Sequence, residues 1–119
     1  MKSNVKKLTL VNFPDKFSIP TVIFFSRDTC HFCKKLKPIY DRISLMEKYF
    51  NVYDFCIVDS DKESIIYEKF NLDGVPTIYV ICDDEGVEIP YPQKPAPSGY
   101  GEGHITSFLD KLMENNEEG

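Results

Sequence analysis

"TVIFFSRDTCHFCKKLKPIY", residues 21–40, changes its period halfway along. Residues 21–26 are a continuous apolar run, β-branched and aromatic, which is what a strand buried on both faces of a parallel sheet looks like. From Cys30 the period becomes helical, with Phe32, Leu36, Ile39, Tyr40, Ile43, Met46 and Phe50 on one side. Pro38 falls inside this helix, where it removes a hydrogen bond and is expected to kink the axis. Cys30 and Cys33 therefore stand where a central strand hands over to a helix.

That placement has chemical consequences. The first turn of a helix offers unpaired N–H groups and a partial positive charge, both of which favour a thiolate over a thiol. An ordinary cysteine, with a pKa of about 8.5, is only a few per cent ionised at pH 7, whereas one shifted to about 7 is half ionised. His31 when protonated, and Lys34 or Lys35, act in the same sense. Cys33 comes one helical turn after Cys30, within reach of closing a ring with it, and an exposed nucleophile plus a resolving partner is the machinery of thiol–disulfide exchange. Half of a zinc site and two buried thiols are the competing readings of the pair. Cys56 and Cys82 are singletons inside apolar strands rather than a second close pair, so they read as core thiols and no metal is expected.

The rest of the chain extends the alternation. Residues 5–11 and 51–59 read as strands, and Ser60 with Glu63 matches a capping box opening a helix that turns Ile65, Ile66 and Phe70 inward. Residues 77–82 are a strand, the acidic turn 83–86 leads into another at 87–91, and a Pro-rich loop follows, expected to be extended and poorly packed. Ile105, Phe108, Leu109, Leu112 and Met113 mark a final helix from about residue 103 to 113. Alternation implies parallel crossovers and the last strand pair an antiparallel edge, giving an α/β fold with a mixed sheet of five strands flanked by helices on both faces. The domain is expected over residues 5–113, between a flexible segment 1–4 and an acidic tail 114–119.

Length and composition agree with one compact domain. The chain has 119 residues, 42% of them hydrophobic, and a formal charge of −5, which argues against nucleic acid as a partner. No stretch approaches the roughly 20 apolar residues that span a bilayer, and no secretory signal opens the chain, so no membrane partner is expected. The expectation is a soluble, cytoplasmic monomer. In that reducing compartment cysteines are more often catalytic, metal-binding or buried than structural disulfides.

These features together resemble the thioredoxin superfamily. The residues that carry the likeness are Val22 to Phe25, Cys30-His31-Phe32-Cys33-Lys34, Pro38, Val58-Asp59, Phe70-Asn71-Leu72 and Gly74-Val75-Pro76-Thr77. The resemblance implies the thioredoxin fold and a protein-disulfide oxidoreductase in which Cys30 attacks and Cys33 resolves, with no cofactor beyond the redox-active disulfide. It implies a cis bond at Val75–Pro76, facing the cysteines, and a strand order that sets residues 21–26 between the strands of Cys56 and Cys82. Thr29, Phe32, Val75, Pro76 and Gly101 are expected to meet the substrate, and His31 and Lys34 to tune the thiolate. Disulfide-containing proteins would be the substrates, and a reductase or glutathione the electron donor.

The chain also departs from the pattern. Thr29 stands where thioredoxins place Trp, Phe24 where they bury a carboxylate, and Phe55 where a lysine often partners that carboxylate. The segment "FSRDTCHFCKK" is closer to a glutaredoxin active site. A glutathione-dependent role using Arg27, Lys34 or Lys35 therefore stays open, as does a non-catalytic binding module that holds its partner with the Pro-rich loop and the groove at Val75–Pro76.

Overall fold

The computed structural model describes residues 3–83 and 85–118, with the side chains of residues 115–118 left aside. Strand β1 is Val5–Lys7, β2 Thr21–Ser26, helix α1 His31–Ser44, β3 Asp54–Asp59, α2 Ser64–Lys69, β4 Thr77–Cys82, β5 Glu85–Glu88 and α3 Glu102–Glu118. A single 3-10 turn, Glu47–Tyr49, follows α1. The sheet order is β1-β3-β2-β4-β5. The first three strands run parallel, β4 pairs antiparallel with β2, and β5 antiparallel with β4.

The apolar run of β2 lies at the centre, and its period of two sorts the core. Val22 and Phe24 point to the face covered by α1 and α3, joining Leu36, Tyr40, Ile43, Ile105 and Leu109. Ile23 and Phe25 point to the other face, where Ile66 of α2 meets Cys56 and Val58. Helix α1 buries Cys33, Leu36, Tyr40 and Ile43, spaced to fall on one stripe. Each large apolar side chain so buried stabilises the fold by roughly 1.5–3 kcal/mol. The helix continues through Pro38, which is exposed and supplies no N–H to the Lys34 carbonyl one turn before it.

Tyrosines bind the layers together. The Tyr40 hydroxyl lies 3.0 Å from the carbonyl of Val22 and 2.8 Å from that of Cys56, so α1 is pinned to both β2 and β3. Its ring packs edge-on against Phe24 and Phe55. The Tyr53 hydroxyl donates to the carbonyl of Leu109 at 2.8 Å, and that of Tyr49 to Asp110 Oδ1 at 2.8 Å, which tie α3 to the same layer. Burial raises the hydroxyl pKa of Tyr40 far above the ordinary tyrosine value. Burial opposes the ionisation of Asp110, but hydrogen bonds from Lys48 and Tyr49 outweigh it and hold the carboxyl below its ordinary value.

Several local expectations are corrected. Phe50 and Ile65 are exposed rather than inward, and Phe32, on the same helical stripe, is exposed beside the disulfide. Ser60 and Glu63 form no capping box. Asp59 Oδ1 instead accepts the N–H groups of Asp61 and Lys62, Glu63 Oε1 accepts that of Leu10, and the buried Ser60 hydroxyl has no partner among the described residues. The strand expected at 87–91 is Glu85–Glu88, with all four residues exposed. Ser3 and Asn4 are bonded to α1 through Asp41 and Ser44, and residues 1 and 2 lie outside the described residues. The expected acidic tail is helical to Glu118, and Gly119 is outside the described residues.

The end of the Pro-rich segment is packed, with residues 98–100 buried, whereas residues 93–95 and 97 are exposed. Ala96 and Gly99 exchange backbone hydrogen bonds, and the Ser98 hydroxyl donates to the carbonyl of Tyr100 at 2.6 Å. The Tyr100 hydroxyl in turn donates to the carbonyl of Ile89 at 3.1 Å, and His104 Nε2 donates to that of Pro90 at 2.7 Å. These bonds hold the two ends of the segment, and Pro90, Tyr91 and Tyr100 form one wall of a cleft.

Candidate functional site

The chain leaves β2 at Ser26 and turns through residues 27–29, the Cys30 N–H closing the turn on the Arg27 carbonyl at 3.1 Å. Cys30 is the N-cap of α1, with extended backbone, and its Sγ accepts the N–H of Cys33 at 3.1 Å. A sulfur at this position meets one of the orphan donors of the helix and its positive end, an arrangement that favours negative charge on Cys30 after reduction. Cys30 and Cys33 are joined as a disulfide, with Cα atoms 5.2 Å apart. Their environments differ. Cys30 is partly exposed, whereas Cys33 is 1% exposed among core side chains that include Leu36 and Tyr40.

Phe24 and Phe55 are both buried where the likeness would place a carboxylate and a lysine. The ring of Tyr40 packs on both. The buried layer around Cys33 thus contains aromatic rings at the places where a proton acceptor and its cation were to be sought. Thr29, His31, Phe32 and Lys34 are exposed around the disulfide, and the ring of Phe32 meets that of His31 at 6.1 Å.

Val75–Pro76 is a cis peptide. Thr77 closes the loop before it, its hydroxyl donating to the Gly74 carbonyl at 2.6 Å. Val75 packs against both hydrophobic clusters. With Phe32, Val75 and Pro76 line an open cleft of about 700 Å³ whose far side is Pro90, Tyr91 and Tyr100. Gly101 does not line this cleft; its carbonyl accepts the Ile105 N–H at the start of α3. The glycine that faces Pro76 is Gly99, at φ +80°, where a Cβ would lie 3.1 Å from the Tyr91 hydroxyl and 3.5 Å from Pro76. The Pro-Ser-Gly-Tyr sequence marks a turn there, but only the fold shows what the turn approaches.

A smaller cleft of about 250 Å³ lies at the ends of the parallel strands, lined by Lys7, Arg27, Asp59, Lys62 and Glu63 among others, and no cysteine reaches it. Much of its polarity is used internally. Arg27 Nε lies 3.1 Å from Asp61 Oδ1, off the N–H direction and so ionic rather than hydrogen-bonded, and the guanidinium covers the ring of Tyr67. Among the described residues no group of three or more His, Cys, Asp or Glu is placed to hold a metal ion, and no helix is long and apolar enough to cross a membrane.

Cys56 and Cys82 lie on β3 and β4 with β2 between them. Burial, then the charge of Asp54, pushes the Cys56 thiol up to about 11, Lys6 opposing. A raised pKa means that the unfolded chain releases this proton before the folded one does. The associated stability is complete below pH 9 and is lost as the pH rises to about 11, a loss on the order of 2–3 kcal/mol. The urea midpoint should therefore fall between pH 8.5 and about 11, and fall less in Cys56→Ala. An equal fall in both proteins would show that this thiol is not responsible.

A family model described as Thioredoxin matches residues 4–95. The chain is 40% identical over 65 residues to a thioredoxin of Borreliella burgdorferi, covering 55% of this chain and 54% of that protein. It is 32% identical over 81 residues to protein disulfide-isomerase erp38 of Neurospora crassa, covering 65% of this chain and 22% of that protein. The matched segments thus span about half of the first relative and less than a quarter of the second.

Proposed function

The chain belongs to the thioredoxin family, and from that membership we propose that it exchanges disulfides with protein substrates through Cys30 and Cys33. The observation that carries the reading is the asymmetry of the pair. One sulfur is a partly exposed helix cap accepting a backbone N–H, and the other is buried one turn behind it within bonding reach.

In the reduced protein the Cys30 thiolate attacks one sulfur of a substrate disulfide. A Cys30–substrate bond forms, the substrate bond breaks, and the first substrate thiolate leaves and takes up a proton. The Cys33 thiol then loses its proton and attacks the Cys30 sulfur. The Cys30–Cys33 bond closes and the second substrate thiolate departs. Two electrons pass from the protein dithiol to the substrate, and an external thiol or reductase must return them. Extended substrate backbone would lie beside Val75, and Thr29 and Phe32 would border the approach. His31 and Lys34 add exposed positive or hydrogen-bonding groups near the nucleophile. Because Phe24 supplies no carboxylate, deprotonation of Cys33 falls to water or to the substrate thiolate. The protein would act as a cytoplasmic monomer without metal or organic cofactor.

The testing experiment equilibrates the Cys30–Cys33 couple in glutathione buffers, with thiols trapped by alkylation and read by mass. A reversible intramolecular disulfide is expected. A potential near or below about −250 mV would make the protein a reductant, and one above about −200 mV an oxidant or glutathione-coupled catalyst. If no reversible disulfide forms, the exchange reading is wrong and a binding role takes its place.

A further inference from the structure

We propose, resting on the exchange reading above, that the cleft beside Phe32 selects substrates by charge, taking an extended polypeptide that carries a lysine or arginine close to its reactive cysteine. Four separate parts of the chain build its walls: Phe32 between the two cysteines, Val75–Pro76 before β4, Pro90–Tyr91 after β5, and Tyr100 before α3. The charged side chains that line it are Asp73 and Glu88, and among the described residues no lysine or arginine does. Both carboxylates are exposed, and neither has an ion pair or side-chain hydrogen bond among the described residues. Asp41 and Asp110, by contrast, are neutralised by Lys37 and Lys48.

Burial first, and then Glu88, hold the Tyr100 hydroxyl up at about 12. Tyr91 provides a preformed aromatic wall, its ring edge-on to Tyr100 at 5.3 Å and its hydroxyl against Gly99. A cationic side chain entering here meets two carboxylates without ion pairs and the aromatic side chains of Phe32 and Tyr91, a type of ring with which ammonium and guanidinium groups associate favourably. The first turn of α1 carries the opposite charge, with Lys34 and Lys35 exposed. The cysteines therefore sit between a basic helix end and an acidic cleft, and a substrate chain with uneven charge is oriented as well as held.

Two peptides test this, identical except that lysine flanks the single cysteine in one and glutamate in the other, each cysteine capped as a disulfide with a small neutral thiol. Exchange rates with the reduced protein are measured by stopped flow and normalised to the rate of the same protein with bis(2-hydroxyethyl) disulfide. At low salt the lysine peptide should react about tenfold faster, and the ratio should shrink in high salt. In the Asp73→Asn, Glu88→Gln double variant the ratio should fall toward one. A ratio unchanged in the double variant overturns the proposal, and so does a faster glutamate peptide, which would assign selection to Lys34 and Lys35. If the small disulfide reacts while the peptides react alike, only the selection by charge is lost. If the small disulfide does not react either, the exchange reading is lost with it.

Discussion

Cys33→Ser protein, reduced and mixed with a disulfide-bonded protein substrate, should accumulate as a covalent adduct through Cys30 and turn over only slowly. The expectation follows from where Cys33 lies. It is fixed one helical turn from Cys30, with Cα atoms 5.2 Å apart, and in the oxidised chain the two sulfurs are already bonded. A nucleophile held in this way competes with external thiol through its effective concentration. Oriented intramolecular groups reach far above 1 M, and even about 1 M would outrun about 1 mM of external thiol roughly a thousandfold. Replacing the sulfur with a hydroxyl removes that route and leaves the adduct waiting for solution thiol. The adduct should be visible by mass under non-reducing conditions, vanish on addition of dithiothreitol, and be absent in Cys30→Ser. If Cys33→Ser keeps near-native turnover with glutathione present, Cys33 is not needed for release and the glutathione-dependent role is favoured.

The largest effect on stability is expected from Phe24→Asp. Phe24 is wholly buried at the centre of β2, between Ile57 of β3 and Ile78 of β4, with its ring against Tyr40. Emptying such a site of a phenyl ring costs about 3–5 kcal/mol. Placing an ionised carboxyl there without a cation costs several more. The sum rivals the roughly 5–15 kcal/mol that holds a domain of this size together. Burial raises the introduced carboxyl's folded pKa above the unfolded value of about 3.9, which sets the sign. The neutral form is tolerated better, so relative to the native protein the variant should lose least near pH 4 and progressively more as the pH rises through the folded pKa, by about 1.4 kcal/mol per pH unit. Urea midpoints at pH 4.5 and 7.5 measure this, with Phe24→Asn as the uncharged control. Equal losses at both pH values, or the same pH dependence in the asparagine variant, would show that buried charge is not the cause.

The parts of this molecule that were legible in the sequence are those decided locally and repeated often. Residues 21–26 are apolar at every position but the ends, and a strand so composed has one place to go, the middle of the sheet. The position of Cys30 was legible because two periodicities meet there. Where single residues had competing partners, the pattern misled. Ser60 and Glu63 have the spacing of a capping box, but Asp59 is one residue earlier with a better acceptor, and Glu63 is drawn away to the Leu10 backbone. Ile65 fits a helical stripe, yet α2 has only six residues, and Ile66 is the one it buries. The end of α3 was set too early because the apolar pattern stops at Met113, whereas a helix backbone can run on once its packed turns have nucleated it. The cleft was the least legible feature, since Phe32, Asp73, Glu88 and Tyr91 meet only through long-range packing.

Strand β5 carries a further consequence. It is the last strand on its side of the sheet, four residues long, exposed throughout, and it presents Glu85 and Glu88. A fifth strand that pairs on one side only is a template on which a sixth could grow, from a neighbouring molecule as readily as from the same one. Brevity and like charge work against such growth: two copies meeting edge to edge would bring carboxylates together along a ladder too short to repay the repulsion. Charge along this margin opposes further pairing, and protonating those carboxylates would remove that restraint on polymerisation.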